Sequence, residues 1–199
     1  LMDEPLSALD KKLREEMQIE LRHLHDSLNM TTVYVTHDQK EALTMSDRIA
    51  VINDGALMQL GSPTEIYNSP NNAFIADFIG ESSLISVSVS NKKAYLGTSE
   101  ILLNHNVQKD GKYLLVVRPE KLFLAKKTEK NTNLFSGVVT ESIFQGESQL
   151  LVLKLEEKVY GDQSVQMRIA NGFDLKGKIP TVGDELTIGL RKLDSFIVE

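Results

Sequence analysis

Cysteine is absent from the 199 residues, which excludes a disulfide framework and a thiolate metal site and fits a reducing compartment. No apolar run reaches the length needed to cross a bilayer, and the first residues lack the charged-then-apolar pattern of a secretory leader. Any membrane role is therefore expected to come through partners. A basic excess is missing as well: the formal net charge is −6. The densest positive group, Lys126, Lys127 and Lys130, reads as a solvated loop, so nucleic-acid binding is disfavoured. No G-x-x-x-x-G-K-[S/T] run occurs, so the chain holds no glycine-rich loop with a lysine to cradle nucleotide phosphates.

What is present begins with two acidic residues. Leu1-Met2-Asp3-Glu4-Pro5 reads as the end of an apolar strand stopped by proline, placing Asp3 and Glu4 where a sheet meets solvent. Leu13, Met17, Leu21, Leu24 and Leu28 recur at steps of three and four, which predicts a helix over 11–28 with one buried face. Thr31 to Thr36 is β-branched and aromatic and predicts a buried strand, with a short helix from Gln39 to Met45 behind it. The gap from Glu4 to His37 suits a strand, a crossover helix and a second parallel strand, so both residues belong at the carboxyl ends of neighbouring strands. Arg48–Ile52 and Ala56–Leu60 flank Asn53-Asp54-Gly55, a hairpin signal. Ser62-Pro63-Thr64-Glu65 has the form of a capping box for a helix through Tyr67. A further short helix over 72–79 precedes Gly80.

After Glu81 the pattern changes to short alternating segments: Leu84–Val89, Tyr113–Val117, Leu122–Ala125, Phe135–Ile143, Leu150–Leu155, Val165–Ile169, Glu185–Leu190 and Phe196–Val198. Turns at Gly111, Gln145-Gly146, Gly161-Asp162, Asn171-Gly172 and Gly183-Asp184 separate them. Many short strands without helical period predict a small barrel or sandwich of the oligonucleotide/oligosaccharide-binding type. The expected division is residues 1–81, α/β, and residues 82–199, all-β.

In phosphoryl transfer a carboxylate at the position of Asp3 holds magnesium and one at Glu4 orients or deprotonates the attacking water. An acidic strand corner is the plainer explanation of the pair. Ser7 and Asp10 have capping-box spacing. Thr36 and Gln39 have N-cap spacing, which leaves His37 exposed in a first helical turn, where a helix N-terminus favours a neutral ring able to donate to a phosphate oxygen.

The order and spacing of these segments are specific where each alone is weak. Leu1 to Asp10 and Val35-Thr36-His37-Asp38-Gln39-Lys40-Glu41-Ala42 resemble the Walker B, D-loop and H-loop segments of ABC-transporter ATPases. Ser46 to Ile52, Gly61 to Tyr67 and Phe78-Ile79-Gly80 are similar to the bacterial importer branch that handles polyamines, iron, sulfate, phosphonates and sugars. Val117-Arg118-Pro119-Glu120 resembles a turn of that branch's C-terminal TOBE domain, and an ion pair is expected to hold it. The resemblance implies a truncated P-loop NTPase (RecA-like) sheet followed by an OB-like TOBE barrel. It makes Asp3 the magnesium-side carboxylate, Glu4 the catalytic base, Ser7 and Asp10 D-loop residues at a dimer interface, and His37 the residue reading the γ-phosphate. The family's Walker A loop, Gln-containing loop and L-S-G-G-Q signature lie upstream of such a strand. The expectation is therefore a C-terminal part of the subunit, with no ATP or magnesium held and no ATP hydrolysed by this chain alone.

By the same resemblance, the complete subunit uses ATP and Mg²⁺ and pairs with a second copy or a second ATPase subunit. It works on membrane permease subunits and, indirectly, an extracellular solute receptor, from the cytoplasmic face of the membrane. Phe78 to Ser82 and the Gly137–Gly146 region incline the reading to the polyamine subgroup. The competing function is a non-catalytic regulatory module whose β domain senses a small ligand.

Overall fold

The computed structural model describes residues 1–126, 129–171 and 179–199. Lys127 of the basic group and Gly172 of the Asn171-Gly172 turn lie outside the described residues. Contacts divide the chain into residues 1–71 and residues 72–199.

In the first unit β1 (Met2–Asp3), α1 (Lys11–Leu28) and β2 (Tyr34–Val35) follow in order. The two strands pair in parallel, Met2 opposite Tyr34 and Asp3 opposite Val35, so α1 is the crossover that parallel pairing requires. Asp10 caps α1 by accepting from the Leu13 amide at 3.0 Å, and left-handed Asn29 ends it, its N–H donating to the His25 carbonyl. The helix sits where the leucine period places it, yet its buried face is rotated from the leucine stripe, keeping Met17 and Leu21 half-buried and leaving the other three leucines exposed. Leu13, Leu24 and Leu28 are 41, 51 and 52 % exposed, whereas Gln18 is 3 % exposed.

The reason is electrostatic and geometric. Arg14 and Arg22 flank Gln18 at four-residue steps and reach opposite ends of α2 (Gln39–Met45): Arg14 bonds the Asp38 carboxylate, Arg22 the Met45 carbonyl and Asp47. These charge-assisted bonds set the rotation of α1. A two-stranded sheet, the only one that β1 and β2 join among the described residues, is too narrow to cover the leucine stripe. For the same reason the expected buried strand over Thr31–Thr36 is reduced to β2, with Val33 and Val35 exposed.

The hairpin of β3 (Ile49–Asn53) and β4 (Ala56–Gly61) turns at Asp54 and Gly55, both at positive φ, the geometry that suits the strand twist. In α3 (Pro63–Asn68) the Ser62/Glu65 capping box is complete. Glu65 accepts from the Ser62 amide and hydroxyl, each at 2.8 Å, and these bonds hold its carboxyl below the ordinary value of 4.5. The unfolded chain therefore binds more protons in acid. The contribution is complete above about pH 4.5 and is lost as pH falls through the lowered folded value. Protection of the Ser62 amide, taken relative to the unstructured exchange rate at each pH, should fall over that acid window in the wild type and stay level in Glu65→Gln; the same protection profile in both would refute it.

The second unit opens with α4 (Ala73–Phe78), capped by Asn72. There follow β5 (Ser83–Ser90), β6 (Lys93–Leu96), β7 (Ser99–Ile101), β8 (Gly111–Val117), β9 (Leu122–Leu124), β10 (Thr132–Phe144) and β11 (Ser148–Leu155). The chain continues through α5 (Glu157–Tyr160), β12 (Ser164–Ala170), β13 (Glu185–Arg191) and β14 (Phe196–Val198). Among the described residues two five-stranded sheets result, β12-β11-β10-β13-β9 and β14-β8-β5-β6-β7, with antiparallel pairing in each.

Apolar residues from both sheets, among them Ile85, Leu115, Phe135, Leu151, Met167 and Ile188, form one core. Buried Asn133 is fully used: it accepts from the Leu102 amide at 2.7 Å and donates to the Leu102 carbonyl at 2.9 Å and the Ser195 hydroxyl at 2.8 Å, as a polar group in a dry core must be. The Arg118 guanidinium donates to the carbonyls of Ala76 at 3.0 Å and Glu81 at 3.1 Å. The arginine of the V-R-P-E turn thereby ties the end of α4 to β8, where Ala76 packs on Val116 and Val198.

Every strand expected after Glu81 is present, and β6 and β7 are additional. The β5–β6 hairpin turns at Asn91 and Lys92, both left-handed, a pair without the glycine that usually signals such a turn. Gly97, at φ +58°, closes the β6–β7 end against α5; a Cβ there would lie 2.0 Å from the Val159 carbonyl oxygen. Gly97→Ala should therefore cost about 2 kcal/mol or more, from left-handed strain and backbone collision together. A denaturation midpoint unchanged from wild type would contradict that packing.

Candidate active site

The parallel pairing of β1 with β2 brings the carboxyl ends of both strands to one edge. The Glu4 amide donates to the Val35 carbonyl at 2.8 Å, continuing the ladder one residue past β1. Glu4 itself has φ +42°, a left-handed conformation that costs a non-glycine residue free energy and marks a constrained turn. The turn is held from behind, because the Glu4 carbonyl accepts the Ser7 hydroxyl at 2.9 Å and the Ser7 amide at 3.3 Å. Ser7 is thus bonded back to Glu4 and Asp10 is the N-cap of α1, so the capping-box pairing of Ser7 with Asp10 is not formed. Pro5-Leu6 turns the chain away from the strand, with Leu6 buried beneath, and that spends the geometry a Ser7 cap needs.

His37 follows β2. Its Nε2 lies 3.2 Å from Oε1 of Glu4. The imidazole is 88 % exposed, so it meets solvent on one side and the carboxylate on the other. The N-cap of α2 is Asp38 and not Thr36: Oδ1 of Asp38 accepts from the amides of Lys40 at 2.8 Å and Glu41 at 3.2 Å. Thr36 uses its hydroxyl otherwise, accepting from the Asp38 amide at 2.9 Å and donating to Glu41 at 2.7 Å. A carboxylate caps a helix more strongly than a hydroxyl because it also meets the positive end of the helix dipole.

Below this loop Glu41 is buried and also accepts the Tyr34 hydroxyl at 2.9 Å. Burial, and then this bond, hold the Tyr34 phenol well above its ordinary pKa, so it remains a donor. Arg14 stands on the other side, within 3.3 Å of Asp38 and 3.8 Å of Glu41. Glu4, Ser7, Arg14, His37, Asp38 and Lys40 are among the residues lining an open cleft of about 600 Å³.

Asp3 and Asp10 stand apart from the Glu4–His37 pair. Asp3 is exposed at the end of β1, and Asp10 is engaged at the start of α1. Among the described residues, no three His, Cys, Asp or Glu side chains converge to hold a metal by themselves. Magnesium in phosphate chemistry commonly rests on one or two carboxylates, with waters and phosphate oxygens completing its shell. Exposed Asp3, at the end of β1, has the chemistry of one such carboxylate.

A TOBE-domain model matches residues 115–197, the stretch from β8 to β14. The spermidine/putrescine import ATP-binding protein PotA of Thermotoga maritima is 38 % identical over 214 residues, an alignment covering 100 % of this chain and 56 % of that protein. The protein of the same name from Borrelia garinii subsp. bavariensis is 43 % identical over 200 residues, covering 100 % of this chain and 53 % of its own length. The one from Pseudomonas aeruginosa is 39 % identical over 201 residues, at 96 % and 54 % coverage. This chain belongs to the family of ABC-importer ATP-binding subunits. It corresponds to their C-terminal portion with its TOBE domain and spans about half the length of the curated relatives it matches.

For an importer ATP-binding subunit, the residues that sequence reasoning passed over are Arg14, Tyr34 and Glu41. A signal for Arg14 was available: Arg14, Gln18 and Arg22 recur every fourth residue, a polar stripe with the same period as the leucines. For Glu41 there was little, because an acidic residue in the first turn of a helix is ordinary. Its burial follows from Tyr34 and Thr36 pointing to the same side of β2.

Proposed function

We propose that residues 1–81 form the water-activating part of an ABC ATPase domain, a truncated P-loop NTPase sheet, and that residues 82–199 form a TOBE-type regulatory domain. The observation that carries this reading is the placement of Glu4 at positive φ with its carboxylate 3.2 Å from His37, at the carboxyl ends of two parallel strands. In this role Glu4 accepts a proton from the attacking water and His37 donates to the transferring phosphate. Ser7 and Asp10 set the turn that faces a second ATPase subunit. Asp3 holds Mg²⁺ together with the nucleotide; the ion neutralises charge developing on the phosphate oxygens. Permease subunits and, through them, a solute receptor complete the importer at the cytoplasmic face of the membrane. Spermidine and putrescine are the proposed cargo, because the relatives aligned along this chain carry that name.

The reading is tested in a subunit of full family length carrying this sequence. Magnesium-dependent ATP hydrolysis is expected there, and none from residues 1–199 alone, because positioning of the γ-phosphate supplies much of the catalysis. Absence of hydrolysis in the long form, together with saturable binding of a small anion or polyamine to the 199-residue chain, would replace it with the regulatory-module reading.

A further inference from the structure

We propose that Arg14 is a positioning residue that locks the Ser7–Leu9 turn to the His37 loop, so that the two loops of the site move as one; the inference rests on the ATPase reading above. The guanidinium is bonded to both segments. Its Nη2 donates to the Leu9 carbonyl at 2.9 Å and to the Ser7 carbonyl at 3.4 Å. Its Nη1 donates to Oδ2 of Asp38 at 3.3 Å. Nε lies 3.8 Å from Glu41 and is buried with no hydrogen-bond partner.

Each contact ends on a group that already has a second task. Asp38 gives Oδ2 to Arg14 and uses Oδ1 to cap α2. Ser7 gives its carbonyl to Arg14, while its hydroxyl and amide hold the Glu4 carbonyl. A continuous path therefore runs from Glu4 through Ser7, Arg14 and Asp38 to His37. Arg14 is part-buried on α1, and α1 is fixed against α2 a second time by Arg22, so the fork is held in place from its own helix. A displacement of the Ser7–Leu9 turn pulls directly on the residue next to His37. Only a planar fork spans both carbonyls and the carboxylate together; a lysine ammonium reaches one side at a time.

The test uses Arg14→Gln and Arg14→Lys, with Glu4→Gln as reference. In a subunit of full family length, Arg14→Gln should lower kcat about 10²-fold, the scale of a small misplacement of reacting groups, with the KM for ATP within about twofold of wild type. Arg14→Lys should fall between. In the 199-residue chain, amide exchange at Lys40 and Glu41 should accelerate in Arg14→Gln, because the Asp38 cap loses its anchor. If Arg14→Gln turns over like wild type while Glu4→Gln is inactive, the clamp is wrong and the ATPase reading stands. If Glu4→Gln itself turns over normally, the ATPase reading fails, and the exchange measurement alone decides: faster exchange supports the clamp and unchanged exchange overturns it. Should Arg14→Gln not fold, Arg14→Lys serves for both measurements, and wild-type values in each overturn the proposal.

Discussion

Glu4→Gln, in a subunit of full family length, is expected to lower ATP turnover at least about 10²-fold while nucleotide binding persists, the range that loss of a general base produces. The amide matches the carboxylate in size and keeps the turn, whose backbone bonds to Val35 and Ser7 do not involve the side chain. What disappears is the acceptor charge beside His37. Binding energy resides in groups that this substitution does not touch, so fluorescent ATP should still saturate the variant. Turnover equal to wild type would remove Glu4 from the chemistry.

The largest effect on stability is expected from Phe135→Ala. Phe135 is fully buried on β10, paired with Ile188 of β13, and its ring meets Tyr160 edge-on at 5.8 Å between centroids. Truncation removes a large apolar surface and an aromatic contact and leaves a cavity that strands on both sides prevent from collapsing. The loss should be about 3–5 kcal/mol. Denaturant unfolding of the full chain reads it as a lower midpoint for the β-rich unit with an unchanged slope. A loss under about 1 kcal/mol would mean that the site repacks and that Phe135 is not central to the core.

Period and turn chemistry carried most of the secondary structure. The limits of α1 followed from its leucine spacing and those of α3 from Ser62, Pro63 and Glu65, because these are local signals that neighbours reinforce. Which face of α1 is buried was not local: it depends on Arg14 and Arg22 finding the two ends of α2, contacts that span more than twenty residues of sequence. The β5–β6 hairpin escaped notice because Asn91 and Lys92 adopt left-handed geometry without a glycine. Within the candidate site, motif order singled out Glu4 and His37, and their observed adjacency follows from one crossover unit. The supporting layer of Tyr34, Thr36, Glu41 and Arg14 was not, since it arises only when β2 and α2 present their side chains to a common interior.

A double-mutant cycle on ATP turnover with Glu4→Gln, His37→Ala and the combined variant tests the central claim most directly, that these two residues serve one transferring phosphate. Groups that act as a unit lose little more together than the more damaging loss alone. The expected result is a combined variant within about threefold of the slower single variant. Losses that multiply, so that the combined variant is slower by the full product of the two single effects, would show that Glu4 and His37 act independently and would contradict the shared site.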